Sequence, residues 1–388
     1  MTLLQKLAKN FTNLPLFFQV YAIACSLMLA IAVYGFLTGS SREARIFLYT
    51  GLTGFLFFIL LNLATANRNL KETGVMQLIS LLLLFTILPI FLAFPTWIIL
   101  RSSSFLDVYV DMVGAFTTTG LPVFDNYHLS RLIHLWRAVI AWFGGGIIWI
   151  AAFVILLPAG RGGHDLFSDK NNKFTQNRKL TLNERSMTLS KISKKLVPIY
   201  ISLTVILWCV LTILGTDGYT SFIRASSILS TSGISGPEKF GFDGAGFFGE
   251  LVMAMFLLLA LTHNFFYSLN KKKNLKNILL DKELRLGLLT VTCITIILSL
   301  KTMSLNNTFF SFDEPFISGL RLIWGNFFTV FSFITTNGYV SSYWGGALPS
   351  VDLPHITIIF LGLCLFGGGL ATTAGGIKLL RISVLFSA

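Results

Sequence analysis

Long apolar runs alternate with short polar stretches along most of this 388-residue chain. A membrane-spanning helix needs about 20 apolar residues to cross a hydrocarbon core of about 30 Å. Residues 286–300 form a short candidate for such a span. Seven longer stretches meet the length requirement, at 16–38, 46–66, 76–100, 132–157, 196–215, 246–267 and 355–380. The pattern predicts an all-α polytopic membrane protein.

Three polar turns interrupt the apolar pattern, and each ends in glycine. We interpret each as following a hydrophobic segment too short to cross a bilayer and preceding a long apolar helix that can cross one. The repeated unit is therefore a helix, a half-helix, a polar turn and a second helix. The glycines are spaced 113 and 105 residues apart. The turns are Thr118, Thr119 and Gly120, then Thr231, Ser232 and Gly233, then Thr336, Asn337 and Gly338.

The first repeat contains the clearest half-helix. Residues 105–117 would make about three helical turns and measure about 20 Å, so they can enter a bilayer without crossing it. All three copies run in the same order along the chain. Repeats of this kind indicate pseudosymmetry about an axis along the membrane normal. A central ion pathway is expected on that axis.

The repeats also predict how the chain is divided. An N-terminal transmembrane hairpin, without a polar turn, precedes the first repeat, and two basic loops separate the repeats. The predicted segments are the hairpin at 1–73, a first pore repeat at 74–160, a cytoplasmic basic loop at 161–195, a second pore repeat at 196–270, a cytoplasmic basic loop at 271–285 and a third pore repeat at 286–388.

Composition and charge exclude several classes of protein. Hydrophobic residues make up 54% of the chain and charged residues only 12%, which excludes a water-soluble globule. The net charge of +13 would suit a nucleic-acid partner, but lysines and arginines concentrate in the two basic loops. Basic loops between spans mark the cytoplasmic side of a membrane protein, so no nucleic acid is expected. A docking surface is the alternative interpretation of these loops.

The chemistry of the three turns favours a cation. Non-helical backbone at membrane depth is tolerated only where it is buried in protein or lines water. Rings of backbone carbonyls, with threonine or serine hydroxyls, replace the water of a dehydrating cation. Glycine permits the positive φ that turns carbonyls inward. The preceding half-helices would also direct the negative ends of their dipoles at the ion.

A second glycine-rich element lies inside the last apolar stretch, in the sequence LFGGGLATTAGGIKLLR. So many glycines should break the helix there. A flexible plug below the pore is one interpretation, and close helix packing by small residues is the alternative. A nucleotide-binding P-loop is excluded because Ile377 separates the last glycine from Lys378. The candidate gate residues are Gly367, Gly368, Gly369, Thr372, Thr373, Gly375 and Gly376.

Charged residues within membrane segments are candidates for function. Asp107 and Asp111 lie four residues apart on the first half-helix, where they would either attract cations or simply be solvated. Arg137 and Arg321 are expected to anchor at the interface or to pair with carboxylates, and Glu250 to face another helix or the cytoplasmic cavity. Histidines are scattered, and no catalytic triad or metal-ligand spacing occurs, so an enzyme is not expected.

These segments resemble those of a known family, the membrane subunits of the Trk, Ktr and HKT potassium transporters. GAFTTTGLPVFDN resembles the first filter of that family, and STSGISG and FITTNGYV resemble the second and third filters. HLWRAVIAWFGGGIIWIAAFVILLP resembles the helix that follows the first filter. LFGGGLATTAGGIKLLR resembles the family's intramembrane gate loop. The extra N-terminal hairpin favours the TrkH branch.

The resemblance implies an activity and partners. It implies potassium uptake through a pore in a bacterial cytoplasmic (inner) membrane, with potassium as the transported ion and no organic cofactor or other metal. It further implies a homodimer and a cytosolic, nucleotide-binding TrkA-like regulatory subunit. The GxGxxG match in this sequence, GAGFFG at residues 244–249, runs into an apolar membrane segment and does not lie in a strand–turn–helix unit, so such a subunit is expected to be a separate chain.

The family has four repeats, and a fourth filter glycine would be expected about 105 to 115 residues beyond Gly338. The sequence stops at Ala388, so the fourth repeat is expected to be absent from this chain. Another polypeptide supplying it, a truncated gene and contacts between copies are three open explanations. A non-conducting truncated homologue, or an assembly partner that needs a separate fourth repeat, is therefore the alternative to a potassium pore.

Overall fold

The computed structural model describes residues 16–65, 74–124, 129–152, 182–236, 246–261, 282–305, 315–344, 356–369, 372–379 and 381. Within these ranges the chain is helical, with no strand, which confirms the all-α prediction. The chain forms two compact units. The first consists of Met1–Ala159 and Ser168–Pro198, and the second of Gly160–Phe167 and Ile199–Ala388.

The first unit begins with a helical hairpin. Helix α1 (Leu16–Leu37) and helix α2 (Ser41–Thr65) pack against each other, and Gly39, with φ of 82°, forms the turn between them. Both helices are long and apolar enough to cross a membrane. The structure thus agrees with the two spans expected in the N-terminal hairpin.

The next apolar stretch folds as two helices, α3 (Gly74–Thr86) and α4 (Leu88–Ile99). Pro89 lies in the first turn of α4, where its missing N–H group removes no helical hydrogen bond. The ring of Pro89 also crowds the carbonyl group four residues earlier, so one regular helix cannot run through this position, which explains the break near Ile87. Together, Ile79–Ile99 still have the length and hydropathy of one span.

Helix α5 (Phe105–Phe116) is the predicted half-helix of the first repeat. Its N-terminus is capped by Ser104, whose Oγ accepts a hydrogen bond of 3.1 Å from the Asp107 amide. With 12 residues, α5 measures about 18 Å, which is too short to cross a bilayer. It packs against α4 and against the helix that follows it.

That following helix, α6 (Arg131–Ala151), is the most buried candidate span among the described helices. Ser130 caps it and also donates a hydrogen bond of 2.8 Å to Glu43 Oε2 of α2. Trp136 is fully buried, and its indole N–H donates to the Leu92 carbonyl oxygen at 3.2 Å. α6 therefore organises the core of the first unit by contacting both α2 and α4.

Helix α7 (Leu182–Ile213) begins well before the span that hydropathy places at 196–215. The end of the predicted basic loop at 161–195 is therefore helical. Residues 182–195 contain no glycine or proline and are rich in leucine, lysine and other helix formers, so the helix continues beyond the apolar stretch. The boundary between the two units falls within α7, at Pro198.

The second half-helix, α8 (Gly218–Ser230), has 13 residues. Asp217 caps it, because its Oδ2 accepts a hydrogen bond of 3.3 Å from the Tyr219 amide. Helix α9 (Gly246–Leu257) follows and continues as a 3-10 turn at Leu258–Ala260. The rest of the span predicted at 246–267 lies outside the described residues.

The third repeat contains α10 (Lys282–Leu305), α11 (Pro315–Ile334) and α12 (Ile356–Leu365). α10 is longer than the short candidate at 286–300 and is itself long enough to cross a membrane. α11 has 20 residues, or about 30 Å, so the prediction that every turn follows a segment too short to cross a bilayer is wrong for the third turn. No proline interrupts α11 after its first residue.

Six helices in the described part of the chain have the length and hydropathy of membrane spans. They are Leu16–Leu37, Ser41–Leu63, Ile79–Ile99, Arg131–Ala151, Ser193–Ile213 and Glu283–Met303. The stretch at 355–380 does not form one continuous span, because α12 ends at Leu365 before the glycine-rich element, where a helix break was expected.

Candidate functional site

The three polar turns adopt one backbone conformation. In each turn the first residue lies in the left-handed region, and so does the glycine two residues later. The glycines therefore have the positive φ that the sequence predicts. The φ angles are 59° and 63° at Thr118 and Gly120, 52° and 68° at Thr231 and Gly233, and 58° and 77° at Thr336 and Gly338.

The left-handed threonines are a feature that sequence reasoning missed. A left-handed conformation brings Cβ too close to a carbonyl oxygen and costs about 1–2 kcal/mol. Among the described residues, only these three threonines combine a side chain with a positive φ. The sequence did contain one sign of this conformation: each threonine occupies the position just after a helix, where a left-handed glycine is usual. Strain at three equivalent positions indicates a constraint from the surrounding structure.

The same pair of hydrogen bonds closes each preceding helix. The threonine amide donates to the carbonyl three residues earlier, and the next amide donates to the carbonyl five residues earlier, which is the Schellman pattern. In the first turn the amide of Thr118 donates to Ala115 O at 3.0 Å and that of Thr119 to Gly114 O at 2.8 Å. The matching bonds are Thr231 to Ile228 (3.3 Å), Ser232 to Ser227 (3.1 Å), Thr336 to Phe333 (2.9 Å) and Asn337 to Ser332 (2.9 Å).

These hydrogen bonds determine where the turn carbonyls point. In a trans peptide the C=O group points opposite to the N–H group, and the described peptides are all trans. Because the amides after Thr118, Thr231 and Thr336 point back at their helices, the carbonyl oxygens of these threonines point away from them. Each turn thus presents backbone oxygen beyond the negative end of a helix dipole.

The second and third turns lie against each other within the second unit. The Gly233 amide donates a hydrogen bond of 3.2 Å to Asn337 Oδ1, and the Tyr339 hydroxyl donates one of 2.9 Å to the Ile234 carbonyl oxygen. A Cβ atom added to Gly233 would overlap the Asn337 carbonyl oxygen. Only glycine fits this contact, so the side chain of Asn337 and the backbone of Gly233 fix the two turns together.

The glycine-rich element after α12 is an irregular loop, of which residues 366–369 and 372–379 are described. Gly368 and Gly376 have φ of 76° and 74°. The loop folds back on α12, because the Ile377 amide donates to Leu365 O at 2.7 Å and the Leu379 amide donates to Gly368 O at 3.3 Å. The helix break predicted from the glycines is confirmed.

This loop also contacts the C-terminal ends of α8 and α11, the two helices that precede turns in the second unit. The Gly368 amide donates to the Ile334 carbonyl oxygen at 2.9 Å, and the Gly375 amide donates to Thr336 Oγ1 at 2.8 Å. The Thr373 hydroxyl donates to the Leu229 carbonyl oxygen at 3.2 Å. The structure therefore brings together the second turn, the third turn and the candidate gate loop.

The first turn lies in the first unit. Its Thr117 and Thr119 hydroxyls are 2.9 Å apart, and the Gly120 amide donates to the Gly114 carbonyl oxygen at 3.1 Å. α6 passes directly behind the end of α5, since a Cβ added to Gly144 would overlap the Phe116 carbonyl oxygen. Close helix packing thus supports the turn from behind.

Asp111 and Arg137 form a buried ion pair behind the first turn. Arg137 Nη2 lies 2.9 Å from Asp111 Oδ1, and the two side chains are 4% and 0% exposed. The expectation that Arg137 pairs with a carboxylate is confirmed. The alternative of a solvated Asp111 is wrong, because this residue lies on the face of α5 that packs against α6.

The other charged candidates differ in their surroundings. Asp107 and Arg321 are exposed, whereas Glu250 is fully buried and contacts the segment after the third turn. Within the described part of the chain, no group of three or more His, Cys, Asp or Glu side chains is placed to hold a metal ion.

Several curated proteins are similar to this chain, although no protein-family profile matches it. An uncharacterized cation transporter of Methanocaldococcus jannaschii is 27% identical over 346 residues, which cover 88% of this chain and 65% of the relative. The Trk system potassium uptake protein TrkG of Escherichia coli is 27% identical over 318 residues, or 81% of this chain and 61% of TrkG. TrkH of the same organism is 26% identical over 289 residues, or 72% of this chain and 55% of TrkH. This chain thus spans between about half and two thirds of the length of these relatives.

The fold is that of a solved transporter. The crystal structure of the potassium transporter TrkH from Vibrio parahaemolyticus matches with a TM-score of 0.72 and 20% sequence identity. The match covers 97% of this chain and 74% of that structure. In fold and sequence this polytopic membrane protein is a homologue of the Trk system potassium uptake proteins, which are transporters and not enzymes.

Proposed function

We propose that this chain is a pore-forming subunit for potassium uptake across the cytoplasmic membrane. The observation that carries the proposal is the shared conformation of the three turns, each of which directs a threonine carbonyl oxygen away from the preceding helix. The potassium uptake named for TrkG and TrkH supports potassium as the ion.

In this proposal, the turns form the selectivity filter. Potassium loses water as backbone carbonyls replace its hydration shell, and neutral oxygens bind weakly enough to release the ion again. The proposed ligands are the oxygens of residues 118–120, 231–233 and 336–338. A membrane potential of 100 mV drives each ion inward with about 2.3 kcal/mol.

Growth of a bacterium that lacks its own potassium uptake systems tests the proposal. We expect the chain to restore growth at low potassium and Gly120→Ala to abolish it, because alanine is strained at φ of 63°. Gly362→Ala is the matched control, since its added Cβ meets no atom within 4 Å. Membrane expression is measured by immunoblot in each case. A well-expressed chain that never restores growth would instead be a non-conducting truncated homologue or an assembly partner that needs a separate fourth repeat.

We further propose that the loop at 367–376 gates the pathway. Its hydrogen bonds to Leu229, Ile334 and Thr336 hold it against the C-terminal ends of α8 and α11. Movement of the loop would therefore change access to the second and third turns. The homodimer and the TrkA-like regulatory subunit implied by the family resemblance stay predictions.

Weakening a contact of the gate loop should increase uptake. Thr373→Val removes the hydrogen bond to the Leu229 carbonyl, a loss of about 1 kcal/mol that would shift a closed loop toward the open state by about fivefold. We expect a faster initial rate of rubidium uptake at subsaturating concentration. Thr290→Val is the control, because its hydroxyl bonds only within α10, to Gly287 O. Equal or slower uptake in Thr373→Val would contradict a gate held closed by this contact.

A further inference from the structure

Glu250 of α9 lies fully buried beside the segment that follows the third turn. Its carboxylate receives three different donors. The Ser341 hydroxyl lies 2.8 and 2.7 Å from its two oxygens, the Ser342 amide donates to Oε1 at 2.9 Å, and the Trp324 indole N–H donates to Oε2 at 2.8 Å. The side chain therefore connects α9 to both α11 and the chain leaving the filter.

These donors are all neutral, which is an unusual environment for a buried carboxylate. Burying a carboxyl group is costly unless hydrogen bonds compensate for its lost hydration. Here a backbone amide, a hydroxyl and an indole N–H supply them. A leucine would fill the same volume at lower cost but would leave all three donors without this acceptor. The carboxylate therefore serves to hold these groups in place.

The segment held by Glu250 is closely fitted to α11. The Tyr339 amide donates to Ser332 Oγ at 2.7 Å, and the Ser341 amide donates to Thr329 Oγ1 at 3.1 Å. A Cβ added to Gly325 would overlap the Tyr343 carbonyl oxygen. The segment thus begins directly after Gly338, lies along α11 and is fixed by Glu250 from a different helix.

We infer that Glu250 is a positioning residue for ion selection at the third turn. The inference rests on the proposed function and extends it to a side chain outside the turns. Only two residues separate Gly338 from Ser341, so a displaced Ser341 would also displace the carbonyls of the third turn. Discrimination between potassium and sodium depends on the geometry of those carbonyls, and it should therefore depend on Glu250.

Two conservative variants separate positioning from charge. Glu250→Asp keeps the negative charge but shortens the side chain by one methylene, so it cannot reach all three donors. Glu250→Gln keeps the length but loses the charge: its carbonyl oxygen can accept from the Ser342 amide and its NH2 group can donate to the Ser341 hydroxyl, so only the Trp324 contact is lost. If Glu250 acts by position, Glu250→Asp is more damaging than Glu250→Gln, and the reverse order holds if Glu250 acts through its charge.

The experiment measures potassium and sodium uptake by the full chain in proteoliposomes, together with the thermal stability of the purified protein in each ion. We expect Glu250→Ala and Glu250→Asp to lower the potassium-to-sodium ratio by about tenfold, equivalent to about 1.4 kcal/mol. Ser341→Ala should change the ratio in the same direction by less. Ser299→Ala is the control, because this buried hydroxyl of α10 binds Asn326 and not the segment after the turn.

The outcomes distinguish this inference from the proposed function. If the unsubstituted chain neither transports potassium nor is stabilised by it, the proposed function fails and the inference fails with it. If the unsubstituted chain selects potassium and Glu250→Ala reduces only the amount of folded protein, with an unchanged ratio, then Glu250 is merely structural. A lower ratio in Glu250→Gln than in Glu250→Asp would assign its effect to charge and overturn positioning.

Discussion

Gly233→Ala is expected to abolish potassium uptake while leaving the chain folded in the membrane. The added Cβ would overlap the Asn337 carbonyl oxygen, and the positive φ of 68° would strain the alanine itself. The second and third turns must then move apart. In enzyme active sites a displacement of about 1 Å costs about 100-fold in rate, and by analogy we expect a loss of that size in the initial rate of potassium uptake.

Gly236→Ala is the matched control for this prediction. The change is chemically identical and lies three residues further along the chain, but its added Cβ would meet only Ile223 Cδ1, at an ordinary contact distance of 3.7 Å. Uptake by this variant should stay close to that of the unsubstituted chain. Similar uptake by the two variants would show that the contact between Gly233 and Asn337 does not matter for transport.

Asp111→Ala is expected to have the largest effect on the stability of the first unit. The substitution leaves the Arg137 guanidinium, which is 4% exposed, without its carboxylate. Removing one partner of a buried ion pair costs about 3–5 kcal/mol, because the other charge stays buried. We expect a correspondingly lower free energy of unfolding, measured by denaturant titration of the purified protein in detergent micelles.

Two variants show whether this loss comes from the ion pair. Asp107→Ala removes an exposed carboxylate one helical turn earlier and should cost less than about 1 kcal/mol, the scale of a charge at a helix N-terminus. The double variant Asp111→Leu with Arg137→Met removes both charges and should be more stable than Asp111→Ala alone. A double variant that is no more stable than Asp111→Ala would contradict the pairing argument.

The turns and the helix break were predictable because they depend on local chemistry. Glycine permits a positive φ, which Gly120, Gly233 and Gly338 all adopt, and the glycines after Leu365 ended α12. Apolar length alone located most of the spans. In these cases a few neighbouring residues determine the backbone conformation, and contacts with distant residues do not change it.

The remaining features depend on contacts between residues far apart in sequence. Helix length is a separate case: hydropathy shows where a chain is apolar but not where a helix ends, so it missed the start of α7 at Leu182 and the 20-residue length of α11. The pairing of Asp111 with Arg137 and the bonds from Glu250 to Ser341 and Ser342 join separate elements. Sequence reasoning identified the charged residues but had no means of choosing their partners.

The three left-handed threonines have a consequence for engineering this chain. Glycine at Thr118 or Thr231 would relieve a backbone strain of about 1–2 kcal/mol, whereas at Thr336 it would also remove the hydroxyl that accepts the Gly375 amide. Selection of variants for heat resistance alone would therefore favour the loss of these side chains. At these positions a substitution that raises thermal stability would lose the turn geometry. Such a trade-off between stability and function is common at strained sites. A stabilised form for biophysical work should keep all three threonines and draw its substitutions from lipid-facing helix positions.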